Sequence, residues 1–214
     1  YKKDLSNTTI DPIQLSKILI KLKKQNINNV IMEASSHGLS QNRLDGLLFN
    51  TGIFTNLSQD HLDYHKNTKN YLKAKLYLFE KLIKTKGTII TDEKIPEFKK
   101  IKNIATNKNL NLFTLLDKKN NFQFLSHQYE HESQLLEIKY KNSIHKIKLN
   151  LIGKVQFKNV LMAVIASIKS GINIENILNI IPKIKSVEGR FERVGKIKNN
   201  SKVILDYAHT PDAL

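Results

Sequence analysis

Cysteine is absent from the 214-residue chain, which excludes disulfides and thiolate metal sites and fits a reducing compartment. No apolar run approaches the roughly 20 residues that a membrane-spanning helix needs. No charged-then-apolar leader opens the chain at YKKDLSNTTIDP, and its first residue is Tyr1 rather than Met, as expected of a piece of a longer protein. No GxxxxGK[ST] phosphate loop occurs: Gly153-Lys154 in LIGKVQF lacks both the leading glycine and the hydroxyl residue. If the chain handles a nucleotide, its principal phosphate cradle lies elsewhere. Arginine is scarce, with only Arg43, Arg190 and Arg193. In a chain that uses lysine almost everywhere else, each is either a surface survivor or a place where the rigid bidentate guanidinium fork matters.

Negative charge is also thin, leaving a formal net charge of +16. Such a balance invites a nucleic-acid reading, because phosphate contacts are built from Lys and Arg. The distribution argues against it. The lysines are scattered, as in KIKNIATNKNLNL, and no aromatic-interleaved basic stripe appears. A drift of composition towards Lys, Asn and Ile, solvating the surface, accounts for the charge.

What is present is an alternation of helical and strand patterns, in a length that suits one large domain or a core with a small annex. DPIQLSKILIKLKKQN opens with Asp-Pro, a helix-starting signal, and carries apolar residues at helical spacing. NNVIMEAS, GIFTNLS and GTIITD read as short buried strands, with a helix over residues 67–84. Apolar strands separated by helices predict an α/β fold with a mostly parallel sheet covered by helices on both faces. From about residue 110 to 151 the pattern changes to apolar–polar alternation, with Lys141-Asn142-Ser143 as a hairpin turn, which predicts a small antiparallel β patch. A helix over 155–170, a stop at Gly171, a second short helix and the strand KVIL follow. In parallel sheets ligands gather at the carboxyl ends of the strands, and the polar clusters at 33–37 and 56–65 both follow such ends.

Three groups there could carry chemistry. Glu33, beside Val30, Ile31, Met32 and Ala34, either faces solvent or is aimed at a cation. In TNLSQDHLDYH, His61 and His65 are spaced i and i+4 and share a helical face. With Asp60 and Asp63 they offer ligands suited to magnesium, manganese or zinc, although the same residues also suit a capping segment. Lys75 falls within the arc of Tyr71, Ala74, Leu78, Phe79 and Leu82 on a helical wheel. A lysine on a buried face must snorkel, pair, or lose its charge. A neutral amine near a metal has a further option, reaction with carbon dioxide to give an anionic carbamate.

The combination of NTT (7–9), MEASSHGLSQNRL, TNLSQDHLDYH, YLKAK, GRFE and DYAHTPDAL, in this order over nearly the whole chain, resembles the Mur ligases, most closely the UDP-N-acetylmuramoyl-tripeptide synthetase type. The resemblance implies a P-loop-type central domain over residues 1–207 and the start of a linker at 208–214. A phosphate loop would lie upstream of Tyr1 and an amino-acid domain beyond Leu214, so the chain alone would lack turnover. It implies an ATP-dependent ligase joining meso-diaminopimelate or L-lysine to UDP-MurNAc-L-Ala-D-Glu through an acyl phosphate, in cytoplasmic peptidoglycan precursor synthesis. It also implies ATP, two Mg2+ ions and a carbamate on Lys75.

By position, Asn7, Thr8, Thr9, Ser35, Gln41 and Arg43 resemble contacts to the UDP-MurNAc-dipeptide. Glu33, His61 and Lys75 resemble metal-binding residues, His61 and Lys75 also serving catalysis, and Asn159, Arg190 and Asp206 resemble nucleotide-side residues. Val155-Gln156 departs from the family pattern, in which an aromatic residue or His is followed by Asn. The expected partners are the two small-molecule substrates, with no nucleic acid and no membrane, and the expected state is a monomer. Rival readings are a folylpolyglutamate synthetase-like amide ligase and, in another class, a basic nucleic-acid-binding domain.

Overall fold

The computed structural model describes residues 8–116, 121–130 and 133–210. The first helix, α1 (Pro12–Lys24), starts where the sequence signals it. The Asp11 side chain accepts the N–H groups of Ile13 and Gln14, Pro12 occupies the first turn, and Lys21, Lys23 and Lys24 crowd the last, where cations meet the negative end of the helix. A short helix α2 (Ser36–Ser40) follows, capped by the Ser35 hydroxyl on the Gly38 N–H.

The central sheet is parallel, in the order β1 (Phe49–Phe54), β2 (Ile83–Thr91), β3 (Asn111–Thr114). Between β1 and β2 run α3 (Leu62–His65), α4 (Thr68–Tyr77) and a π-helical turn, Leu78–Leu82. Helix α5 (Phe98–Asn107) links β2 to β3. Successive side chains of a strand point to opposite faces, so Ile89 and Ile90, both fully buried, serve different cores. Ile89 packs with Phe54, Leu72, Leu76, Phe79 and Ile101 under α4 and α5. Ile90 faces Leu161, Val164 and Ile165 of α6 (Lys154–Lys169) and the inner side of an antiparallel sheet. That sheet consists of β4 (Phe122–Tyr129), β5 (Gln134–Tyr140) and β6 (Ser143–Leu149). Its β5–β6 hairpin closes through Lys141-Asn142, with Lys141 at φ 55° and Tyr140 opposite Ser143. After α7 (Ile174–Ile180), strands β7 (Glu192–Lys196) and β8 (Lys202–Leu205) form a separate antiparallel ribbon. Among the described residues no helix is long and apolar enough to cross a membrane.

The α/β architecture, with a parallel sheet packed on both faces and a small antiparallel patch, is as expected. Three details differ. NNVIMEAS is not a strand: Ile31 is fully exposed and Val30 is exposed. A strand requires a neighbour for its N–H and C=O groups, and here the Thr9 hydroxyl serves that purpose, donating to Glu33 O at 3.0 Å and accepting Ser35 N–H at 2.8 Å. The helix expected to run to residue 84 leaves α geometry after Tyr77, because Ile83 already pairs with Phe49 as the first residue of β2. Residues 111–114 pair parallel to β2, so the antiparallel patch begins only at Phe122. The strand KVIL forms as expected and pairs with β7.

Candidate active site

Lys75 lies on the inner side of α4. Tyr71, Leu72, Ala74 and Leu76 around it are buried, and Lys75 itself is half-buried. Its ammonium donates to the carbonyl of Asn56 at 2.7 Å, just beyond the carboxyl end of β1. It also sits 5.2 Å from the ring centre of Tyr71 and 5.4 Å from that of Phe54. Burial pushes the amine below its ordinary pKa, while the charges of Glu97, Asp60 and Glu33 act in the opposite sense.

His61 adopts a left-handed conformation (φ 53°) at the start of α3, and the Asp60 carboxylate accepts its backbone N–H at 2.7 Å. The other Asp60 oxygen is 3.6 Å from His61 Nε2 and 3.8 Å from His209 Nε2. The His61 ring meets Tyr71 edge-on at 5.9 Å and His37 at 4.9 Å. Tyr71 is thus a shared wall, with Lys75 and His61 against it and His65 stacked on it at 5.1 Å. His65 is buried and bonds to the Ser36 hydroxyl at 2.9 Å. Burial, then the neighbouring His37 and His61, lowers its pKa, with Asp63 opposing. The His61–His65 pair accordingly divides: His61 is exposed, whereas His65 is packed and buried.

The residues expected to contact the substrate gather around Thr9. Arg43 donates from a terminal nitrogen to Thr9 O at 2.6 Å and from Nε to Gln41 Oε1 at 2.8 Å, and Gln41 donates to the Tyr64 hydroxyl at 3.2 Å. Thr9 is buried and its hydroxyl holds the Glu33–Ser35 turn, so in this fold it positions Glu33 and Ser35. Thr8 is exposed, and Asn7 lies outside the described residues. Tyr64, hydrogen-bonded by Ser40 and Gln41, has a lowered phenol pKa and packs 4.2 Å from His37.

A second group forms at the start of α6. Gly153, at φ +90°, precedes the helix, and a β-carbon there would meet the Phe191 ring at 3.3 Å, so both conformation and space call for glycine. Gln156 donates to Arg190 O at 3.2 Å. The Asp206 carboxylate accepts the N–H groups of Phe191 and Ala208, and the Arg190 guanidinium lies 5.0 Å from the Tyr207 ring. Asn159, on the second turn of α6, is exposed. A cavity lined by Leu151, Phe191 and Arg193, among others, opens beside this group. His209 joins the two groups by reaching Asp60.

Among the described residues no three His, Asp or Glu side chains converge into a ready metal cage. The chemistry of the set nevertheless fits a divalent cation. The charges of Glu33, Asp60 and Glu97 all act on the single Lys75 amine, and Glu97 Oε2 is buried without a hydrogen-bond partner. Hard carboxylate oxygens and an imidazole suit magnesium or manganese. Asp60 was among the ligand candidates read from the sequence, whereas Glu97, His37, Tyr71 and His209 were not singled out as site residues. Asp60 and His37 lie inside the quoted motifs. Glu97 sits on the loop before α5 and carries no local signal.

Comparison with known proteins agrees with the fold. The profile described as the Mur ligase middle domain matches residues 2–167. The UDP-N-acetylmuramoyl-L-alanyl-D-glutamate–2,6-diaminopimelate ligase of Fusobacterium nucleatum is 39% identical over 209 residues, covering 97% of this chain and 42% of that protein. The chain spans less than half the length of the curated relatives it matches. A solved structure of a UDP-N-acetylmuramoyl-L-alanyl-D-glutamate–2,6-diaminopimelate ligase superposes with a TM-score of 0.77 at 26% identity, covering 95% of this chain and 42% of that one. A point mutant of L. casei FPGS shares the fold, with a TM-score of 0.60 at 14% identity over 94% of this chain and 54% of that one.

Proposed function

This chain belongs to the Mur ligase family, and from that premise we propose that it is the central part of an ATP-dependent ligase that joins meso-diaminopimelate to UDP-MurNAc-L-Ala-D-Glu. The reaction passes through an acyl phosphate, formed when the substrate carboxylate attacks the γ-phosphate of ATP and ADP leaves, and then trapped by the amine of the amino acid, which expels inorganic phosphate and gives up a proton to form the amide. The setting is cytoplasmic peptidoglycan precursor synthesis, and the working unit is a monomer. The observation that carries this reading is the amine of Lys75, desolvated on the inner side of α4 and donating to the Asn56 carbonyl, in a chain that is 39% identical to a protein named for that reaction.

A carboxylate and a triphosphate repel each other, so a site that brings them together must offset that repulsion with groups fixed in advance. Glu33, His61 and Lys75 would hold two magnesium ions. When bound, these ions supply the compensating positive charge, and a carbamate on Lys75 supplies an anionic oxygen to grip one of them. The remaining work falls to the chain's own groups. Arg43, braced by Gln41 and Thr9 O, orients the anionic end of the UDP-substrate near Ser35. Asp60 fixes the backbone and ring of His61. Tyr71 and Phe54 shield the Lys75 amine from water, which favours the neutral form that reacts with carbon dioxide. Asn159, Arg190 and Asp206 line the nucleotide side.

The test is a ligation assay on the full-length protein with ATP, magnesium, UDP-MurNAc-L-Ala-D-Glu and either diaminopimelate or lysine. ADP release coupled to a product carrying diaminopimelate supports the reading. A product carrying lysine would correct the amino acid. Absence of both products, together with activity on folate polyglutamate, would favour the folylpolyglutamate synthetase-like reading, which rests on the fold alone.

A further inference from the structure

The turn that leaves β2 bears three consecutive polar side chains, each tied to a different neighbour. Thr91, fully buried, donates from its hydroxyl to Phe54 O at 2.9 Å, at the carboxyl end of β1. Glu93 accepts the N–H of Leu115 at 3.1 Å, just past β3. Asp92, 2% exposed, accepts the Lys94 N–H at 3.0 Å and pairs directly with the Lys158 ammonium on α6. A buried carboxylate is kept only where it is paired and hydrogen-bonded. This one satisfies both conditions through a helix that packs on the opposite face of the sheet from α4.

The neighbours of each tie matter. Asn56, whose carbonyl holds Lys75, lies two residues beyond Phe54. Lys158 lies between Gln156, which bonds the Arg190 carbonyl, and Asn159. We propose that the Asp92–Lys158 pair is a positioning joint, setting the first turns of α6, and with them Asn159 and the Arg190 loop, against the strand ends that carry the Lys75 site. Neither residue touches the reacting atoms. Their effect is on how the nucleotide side is held relative to the lysine side. The inference rests on the nucleotide-side role given to α6 above.

The variants are Lys158→Met, Asp92→Asn, Lys158→Arg and the neutral double variant D92N/K158M, made in the full-length protein. The readouts are KM for ATP, KM for the UDP-substrate, kcat, direct ADP affinity and melting temperature. Displacing α6 by a fraction of an ångström to an ångström should raise KM for ATP and weaken ADP binding about ten- to a hundred-fold in each neutralising single variant. KM for the UDP-substrate should stay within about two-fold, and Lys158→Arg should stay near wild type because it keeps the charge pair. The double variant should be no worse than the worse single, as expected of two residues acting as one unit.

Single variants that lose only melting temperature, with ADP affinity unchanged, would reduce the pair to a structural tie and overturn the proposal. If the singles fail to fold, the double variant decides: weakened ADP affinity supports the joint and wild-type affinity refutes it. A wild-type protein that binds ADP without forming product would sink the proposed substrates, and the ADP affinities of the variants would still judge the joint. A wild-type protein that binds no nucleotide would overturn both.

Discussion

Gly38→Ala is a small change with a large expected effect. A β-carbon at position 38 would fall 2.5 Å from Thr9 Cβ, 2.6 Å from Cγ2 and 2.8 Å from Oγ1, so α2 or Thr9 must move. The overpacking alone costs about 1–3 kcal/mol. Thr9 is buried, and its hydroxyl bonds both Glu33 O and Ser35 N–H. Losing those two bonds adds about 1 kcal/mol each. The total is about 3–5 kcal/mol, which for a domain of this size lowers the melting temperature by about 6–20 °C. The assay is calorimetry on wild type, Gly38→Ala, Thr9→Ala and the double variant. Thr9→Ala keeps the β-carbon but removes Cγ2 and the hydroxyl with its two bonds, so Gly38→Ala should cost at least about 1 kcal/mol less in the Thr9→Ala background. A Gly38→Ala protein that melts within about 1 °C of wild type, or costs that simply add, would refute the packing argument and the positioning role given to Thr9.

Two further outcomes follow from the same cluster. The imidazole of His65 is held below its ordinary pKa of about 6.5 by burial and by His37 and His61. On acidification the unfolded chain takes up this proton first, so the His65 contribution to stability is complete above the ordinary range and is lost as the pH falls through and below it. Urea unfolding between about pH 8 and pH 5 should show this loss, and His65→Gln should flatten it; an unchanged slope in the variant would contradict the assignment. Arg43→Lys removes a fork that bonds Thr9 O and Gln41 together, and should raise KM for the UDP-substrate about ten-fold or more while leaving KM for ATP unchanged. An equal rise in both would place Arg43 outside the substrate pocket.

Much of this was legible in local pattern. Asp11-Pro12 marked the start of α1, GTIITD gave the buried β2, and Lys141-Asn142 closed the hairpin as its turn chemistry required. The wheel that put Lys75 among Tyr71, Ala74, Phe79 and Leu82 anticipated an amine on a buried face. What escaped was non-local. Apolar NNVIM has strand composition, but a strand is made by its neighbour, and none of the described strands lies beside it. His209 reaches Asp60, and the charge of Glu97 acts on Lys75, from elements distant in the chain. The Asp92–Lys158 pair joins β2 to α6, and neither residue stands out in a lysine-rich sequence.

The role of Lys75 is tested most directly by 13C NMR of the full-length protein equilibrated with 13C-labelled bicarbonate. A protein-bound carbamate resonance should appear in wild type and be missing from Lys75→Met, whose neutral side chain keeps the packing against Tyr71 and Phe54. A wild-type spectrum without that resonance, or a resonance that survives in Lys75→Met, would contradict the assignment of this amine as the anion-forming group of the site.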